Sequence, residues 1–227
     1  MALNRFSVIV AFVLFLPINL AAEEFKFRNP HPVFQPVPLE EALRLAPIKL
    51  GQIPKLTEDQ WTDLIKGTVV IRELPSGKDE GKRFEAMAIV PACPHEVMSR
   101  LMDYGSFVGM MPNLKELEFS WNGNLARVKQ KIQAGLFKFT YWINILHYGD
   151  NYIEWEFVEG DIKDTSGYYK LFPLDDGLKT LLIYHVYSDP GMWVPQFIQN
   201  IITKSTMPGV LEAVRDAIPK NREKEEK

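Results

Sequence analysis

The chain has 227 residues, 46% hydrophobic and 24% charged, with a formal net charge of −3. That is an ordinary globular composition for one domain or two small ones, and it excludes disordered and fibrous classes. The acidic balance also excludes a generally basic nucleic-acid binder held by counterion release, so no nucleic-acid partner is expected. The single cysteine, Cys93, rules out an internal disulfide and every multi-cysteine zinc, haem or iron–sulfur motif. His31, His95, His147 and His185 show no pair at ligand spacing, and neither a metal nor a cofactor is expected. Aromatic residues at 12% suit a large apolar interior or pocket.

Residues 1–22 read as a secretory signal: Arg5 at the start, an apolar run from Phe6 to Leu16, then Pro17, Asn19 and the small pair Ala21-Ala22. Leu20 departs from the small residue favoured three positions before the cut. The uncharged stretch from Phe6 to Ala22 spans 17 residues, at the lower limit for a spanning helix, so an uncleaved anchor is the alternative. Cleavage after Ala22 would leave 25 basic against 29 acidic residues, a charge of −4. No cysteine follows the apolar run, which excludes lipoprotein anchoring. The expected destination is the periplasm, or secretion.

Residues 23–56 are a proline-rich leader. Pro30, Pro32, Pro36, Pro38, Pro47 and Pro54 each remove a donor and restrict the preceding residue, leaving room for one short helix at Leu39–Leu45. The folded domain is expected over 57–218, opening on Thr57-Glu58-Asp59-Gln60, which resembles a capping box. Trp61, Leu64 and Ile65 give that helix an apolar face, and Gly67 ends it. Thr68–Leu74 and Arg83–Val90 form a hairpin around the polar loop Pro75–Lys82. Pro94 suits the first turn of a helix to about Asp103, with Val97, Leu101 and Met102 on one side. Tyr104–Met111 reads as a second short helix.

Strands separated by turn residues follow. Leu114–Trp121 and Ala126–Ala134 flank Asn122-Gly123-Asn124, a hairpin signal. Val128, Gln130 and Ile132 share one face of the second of these, against Arg127, Lys129 and Lys131. Leu136–His147 carries Phe137, Phe139, Tyr141, Ile143 and Ile145 on one face. In Tyr152–Glu159, Ile153, Trp155 and Phe157 alternate with Glu154 and Glu156. Ser166–Leu174 and Lys179–Tyr187 close the sheet. Trp193–Ile218 reads as a long helix kinked or divided at Pro208-Gly209, and 219–227 as a charged tail.

This order predicts an α+β fold: a curved antiparallel sheet of about seven strands, its charged face toward water and its aromatic face gripping the C-terminal helix. Such a grip can leave a cavity. The chain resembles the START and polyketide-cyclase/dehydrase superfamily (SRPBCC, helix-grip), in its coenzyme-Q-binding START-like branch. The resemblance rests on Trp61, Leu64 and Gly67, on Ile89-Val90-Pro91-Ala92 with Pro94, on Leu101-Met102-Asp103-Tyr104 and on Met111-Pro112-Asn113. It continues through Gly167-Tyr168-Tyr169, Pro173, Lys179-Thr180-Leu181, Asp189-Pro190 and Pro208 to Arg215, so it covers Thr57 to about Ile218. Met98 stands where that superfamily often has tryptophan. The resemblance implies a hydrophobic cavity and a hydrophobic small-molecule ligand.

No nucleophile elbow, P-loop or dinucleotide fingerprint is present, and no catalytic residue is assigned. Cys93 and His95 are neighbours on a helix start and do not face each other; Cys93 reads as a small residue in the break and His95 as solvent-facing. Asp103 and Arg215 read as capping or ion-pair residues. The cavity candidates are Met110, Met111, Gln130, Phe139, Tyr141, Trp155, Tyr169, Tyr184, Phe197 and Ile201. Gln130 can orient a polar head or simply mark a strand end near solvent, and the tyrosines can bond a ligand or the backbone. Met110-Met111 is a candidate gate. The reading that follows is an exported carrier of a lipid, quinone or polycyclic isoprenoid, with transient membrane-surface contact. The alternative is an aromatase/cyclase-type enzyme using the same cavity. A third reading is an interaction module whose cavity its own side chains fill.

Overall fold

The computed structural model describes residues 27–28, 34–76, 81–191 and 206–218. The elements are β1 (Phe27–Arg28), α1 (Leu39–Leu50), α2 (Glu58–Ile65), β2 (Val70–Leu74), β3 (Lys82–Val90), α3 (Pro94–Met102), a 3₁₀ turn (Tyr104–Ser106) and α4 (Phe107–Met110). They continue with β4 (Leu114–Asn122), β5 (Leu125–Ala134), β6 (Phe137–Tyr148), β7 (Tyr152–Gly160), β8 (Asp164–Leu174), β9 (Lys179–Asp189) and α5 (Met207–Asp216). The expected signal segment at 1–22, the tail at 219–227 and the first half of the expected C-terminal helix lie outside the described residues.

One curved antiparallel sheet runs in the order β2-β3-β9-β8-β7-β6-β5-β4, and β1 pairs with the end of β7. The path has eight strands, in line with the expected curved sheet of about seven. This is the helix-grip architecture. Local signals act where the sequence places them. Thr57 Oγ1 accepts from the Gln60 N–H at 3.2 Å while Gln60 Oε1 accepts from the Thr57 N–H at 3.0 Å, completing the capping box of α2. Cys93 caps α3, with Glu96 reaching back to its N–H at 3.0 Å, and His95 is exposed with Nδ1 at 3.2 Å from Asp150. Tyr104–Met111 is not one helix. It breaks at Val108 and Gly109, whose φ of 90° belongs to glycine.

The face of the sheet that α5 covers is lined by Ala86, Ala88 and Val90 of β3, Val128 of β5, Ile143 and Ile145 of β6, and Leu171 and Leu182 of β8 and β9. Val97, Met98 and Leu101 of α3 and Met207, Leu211 and Val214 of α5 pack against them. Met98 takes the inward place expected for Met102, which is 39% exposed. The helical period of 3.6 brings residues 97, 98 and 101 onto one stripe and carries 102 past it.

The opposite face departs from expectation: its centre is not open to water. Leu64 of α2 is buried with Val70, Met87, Phe172, Leu181 and Ile183, whereas Ile65 is 75% exposed. Ala42 and Ala46 of α1 pack on Leu146, Tyr148 and Tyr152. The leader helix is therefore longer than Leu39–Leu45 and runs through Pro47 to a Gly51 N–H bonded to the Pro47 carbonyl at 3.2 Å. Two alanines four residues apart bring its backbone close to the sheet. Contacts with the sheet sustain a helix that local propensity disfavours.

Lys49 at its end is the anchor. Its Nζ lies 2.7 Å from Glu154 Oε1, 4.7 Å from the centre of the Tyr148 ring and 5.5 Å from that of Tyr152. Tyr148 and Tyr152 each donate to the same carboxylate, at 2.8 and 3.1 Å. Asn124 adds a second link, accepting the Val37 N–H at 3.0 Å. Glu154→Ala removes three charge-assisted bonds and leaves a part-buried ammonium without its carboxylate. It is expected to cost about 2 kcal/mol of stability in urea unfolding, and an unchanged midpoint would show that the leader is not tied down there.

Candidate functional site

The register of the sheet builds the site. Across the concave face, Trp121, Ala126, Ile145, Trp155, Gly167, Val186 and Phe84 form one lateral row. The adjacent row contains His147, Ile153, Tyr169, Tyr184 and Ala86. Gly167 permits the arrangement. A Cβ there would lie 2.2 Å from the His185 carbonyl oxygen and 2.2 Å from Trp155 Cζ2, so the indole occupies the space a side chain would need. Trp155 consequently leans onto Tyr169 and Tyr184, with ring centres 5.4 and 5.8 Å away, while the two tyrosines stack at 4.9 Å with planes 17° apart. Three predicted residues thus form one aromatic wall.

Tyr141 and Gln130 are direct partners across β5 and β6, and their side chains share a hydrogen bond. Gln130 is half-buried in this pair. Burial raises all three phenols: Tyr184 to about 12, Tyr169 well above the usual tyrosine value, and Tyr141 likewise, with Tyr184 adding to the effect on Tyr141 and Tyr169. Yet all three tyrosines keep part of their surface accessible. All three are partly buried and pack against the concave core. The hydroxyls of Tyr169 and Tyr184 have no hydrogen-bond partner among the described residues.

The remaining candidates are spread more widely. Met111 is 9% exposed and packs in the concave core. Met110 is half-buried at the same cluster, and its sulfur accepts from Arg100 Nη2 at 2.8 Å. Phe139 is half-buried toward the hairpin end of β6, parallel to Phe137 at 6.4 Å, and does not join the aromatic wall. Phe197 and Ile201 lie outside the described residues. Asp103 pairs with Arg100 at 2.8 Å, and Arg215 donates to the Gly67 carbonyl at 2.8 Å.

Sequence reasoning missed a polar pair on the same face. Tyr104, buried at 3% exposure, lies 2.9 Å from His147 Nε2, and His147 Nδ1 is 3.2 Å from the Asn124 carbonyl. Trp121 stacks on Tyr104 at 5.5 Å. The Asn124 carbonyl needs the proton on Nδ1, which leaves Nε2 to accept from the phenol. Burial holds the His147 pKa down to about 4, and the Asn124 carbonyl offsets this only partly. No local pattern marks this contact, because it joins positions far apart in the chain.

Against solved structures, the chain is 17% identical to a STAR-related lipid transfer protein from Xanthomonas axonopodis, over 73% of this chain and 96% of that one, with a TM-score of 0.54. It is 18% identical to human StAR-related lipid transfer protein 5, over 67% and 82% of the two chains, also at 0.54. An aromatase/cyclase from Streptomyces sp. R1128 is similar at 16% identity, over 65% and 93%, with a TM-score of 0.52. No family model and no curated protein matches the sequence.

His147 gives the site a pH dependence. The unfolded chain binds a proton near pH 6.5 that the folded chain takes up only near 4. Stability is therefore full above pH 6.5 and falls as pH drops toward 4, by on the order of 3 kcal/mol from this group. His185, also held down to about 4 by burial and by Arg83 and Lys170, acts in the same direction. Comparing melting temperatures at pH 7 and 4.5 isolates His147. The wild type is expected to lose more on acidification than His147→Gln, whose amide oxygen can still accept from Tyr104. Equal losses would contradict the assignment. In architecture, the chain shares the helix-grip fold of these solved structures.

Proposed function

We propose that the chain is an exported carrier that holds a hydrophobic small molecule in the hollow beneath Trp155, Tyr169 and Tyr184. The ligand class is a lipid, quinone or polycyclic isoprenoid. The observation that carries this reading is the pair of phenol hydroxyls without a partner among the described residues, Tyr169 and Tyr184, set in a mostly apolar interior. Apolar transfer contributes about 0.8 kcal/mol per buried methylene, so few polar contacts are required. One or two donors then fix the orientation of a carbonyl or hydroxyl head.

The same phenols argue against the enzyme reading. With Tyr184 pushed up to about 12 and Tyr169 well above its usual value, both stay protonated at neutral pH. They donate hydrogen bonds and do not act as bases for enolisation. His147 is neutral, but its two nitrogens are engaged by Tyr104 and Asn124. The solved lipid-transfer proteins of the same fold support the carrier reading by analogy of fold.

The segment after the broken α4 meets the β5–β6 hairpin, where the Gln133 N–H donates to the Asn113 carbonyl at 2.9 Å. Val108 at 48% and Leu136 at 96% exposure stand there with the exposed Lys138. An apolar tip flanked by a cation suits brief contact with a membrane surface during loading or release. Export rests on the pattern of residues 1–22.

The test is equilibrium binding of an alkyl benzoquinone, a polycyclic isoprenoid and a phospholipid to the wild type, Tyr169→Phe and Tyr184→Phe. The quinone is expected to bind saturably. Each Phe variant is expected to stay folded and lose about fivefold in affinity, the equivalent of one hydrogen bond. Absence of saturable uptake of all three would overturn the carrier reading.

A further inference from the structure

A second recess lies at the end of the sheet away from the β5–β6 hairpin, on the side covered by α2 and outside the hollow. Its volume is about 680 Å³, within the ~300–1,000 Å³ of small-molecule sites. Trp61, Ile89 and Leu174 line its floor. Ile65 on its wall is 75% exposed, and Leu178, next in the chain to the lining Lys179, is 63% exposed. Large aliphatic side chains beside an apolar recess present a surface that gains from being covered.

The rim supplies the charge. Lys66, Lys179 and Arg215 face Asp175 and Asp216 around the recess. Both carboxylates are already engaged, Asp175 by Lys179 at 2.7 Å and Asp216 by Arg215 at 3.4 Å. Lys66 has no carboxylate partner among the described residues. The rim therefore carries one positive charge in excess, at the edge of an apolar floor.

We propose that this recess binds a single-chain amphiphile with an anionic head, of the alkyl-carboxylate class. The chain lies over Trp61, Ile89 and Leu174, and the carboxylate meets the Lys66 ammonium. Arg215 donates to the Gly67 carbonyl at 2.8 Å, so α5 is joined to the end of α2 at this recess. A molecule seated here touches both helices, while the hollow is bounded by α5 and the other face of the sheet. The site is separate from the carrier site and does not depend on it.

Bromine quenches indole fluorescence at short range, so ω-bromododecanoate reports on Trp61 directly. It is titrated below its micelle concentration into the full chain and into Trp61→Phe, Ile65→Asp and Lys66→Glu. Ile65 and Lys66 are exposed, and unchanged circular dichroism and melting verify that the fold is kept. The expected result is a saturable quenching component that is absent in Trp61→Phe. That component should weaken about tenfold in Ile65→Asp, where a carboxylate enters the apolar wall. It should weaken about threefold in Lys66→Glu, a loss that shrinks at high salt. Quenching of Trp155 in the hollow is expected to be unaltered by these changes, so failure of one site is distinguishable from failure of the other. Identical titrations for the wild type, Ile65→Asp and Lys66→Glu would overturn the proposal. So would quenching that appears only with anionic vesicles carrying brominated lipid, because the occupant would then be a bilayer.

Discussion

Both faces of the sheet are apolar over its centre, and neither can be left to water. That requirement organises the molecule. On one side, Leu64 of α2 and Ala42 and Ala46 of α1 cover Met87, Ile183, Leu146 and Tyr148. On the other, α3 and α5 cover the concave row. The proline-rich leader is thus a working part of the fold. Its docking does not rest on apolar contact alone: a lysine held between two tyrosine rings and a shared carboxylate fixes the register of α1 on the sheet. Asn124 binds the leader through Val37 and also accepts, through its carbonyl, from His147 on the concave face. One side chain and its backbone link the outer layer to the wall of the hollow.

The concave face is covered differently at its centre and at its edges. Where alanines and aliphatic residues line it, α5 packs tightly: Leu211 and Val214 are 0% exposed. Trp155 is 8% exposed in the same core, and Tyr169 and Tyr184 pack against it partly buried. The geometry of this cluster is set by ring–ring contact and by the missing side chain at Gly167. The open hydroxyls follow from the same geometry. Each is enclosed enough to stay protonated and has no hydrogen-bond partner among the described residues.

Much of this was legible in the sequence, for local reasons. The capping box at Thr57 and Gln60, the turn at Asn122-Gly123-Asn124 and the alternation of Ile153, Trp155 and Phe157 are short-range signals, and each forms where it is written. Trp155, Tyr169 and Tyr184 were readable as inward-facing from period two alone. Their mutual stacking was not, because it depends on strand register and on Gly167. The helix past Pro47 was hidden because propensity disfavours it and only the sheet beneath sustains it. Ile65 read as core because it is apolar at a helical position, yet the packing stripe runs through Leu64 and leaves it outside. Tyr104 and His147 meet only through folding, across a separation of 43 residues. Lys66 carried no signal at all, since its significance lies in which carboxylates its neighbours take.

The central claim is that the hollow exists to hold an apolar molecule. Native mass spectrometry of the full chain, purified from cells that make it, followed by solvent extraction, tests this most directly. The account predicts a stoichiometric adduct that extracts as a lipid, quinone or isoprenoid, and whose retention falls in the double variant Tyr169→Phe, Tyr184→Phe. A clean mass of the bare chain that stays bare after incubation with all three classes would contradict it, and would return the interior to a core filled by its own side chains.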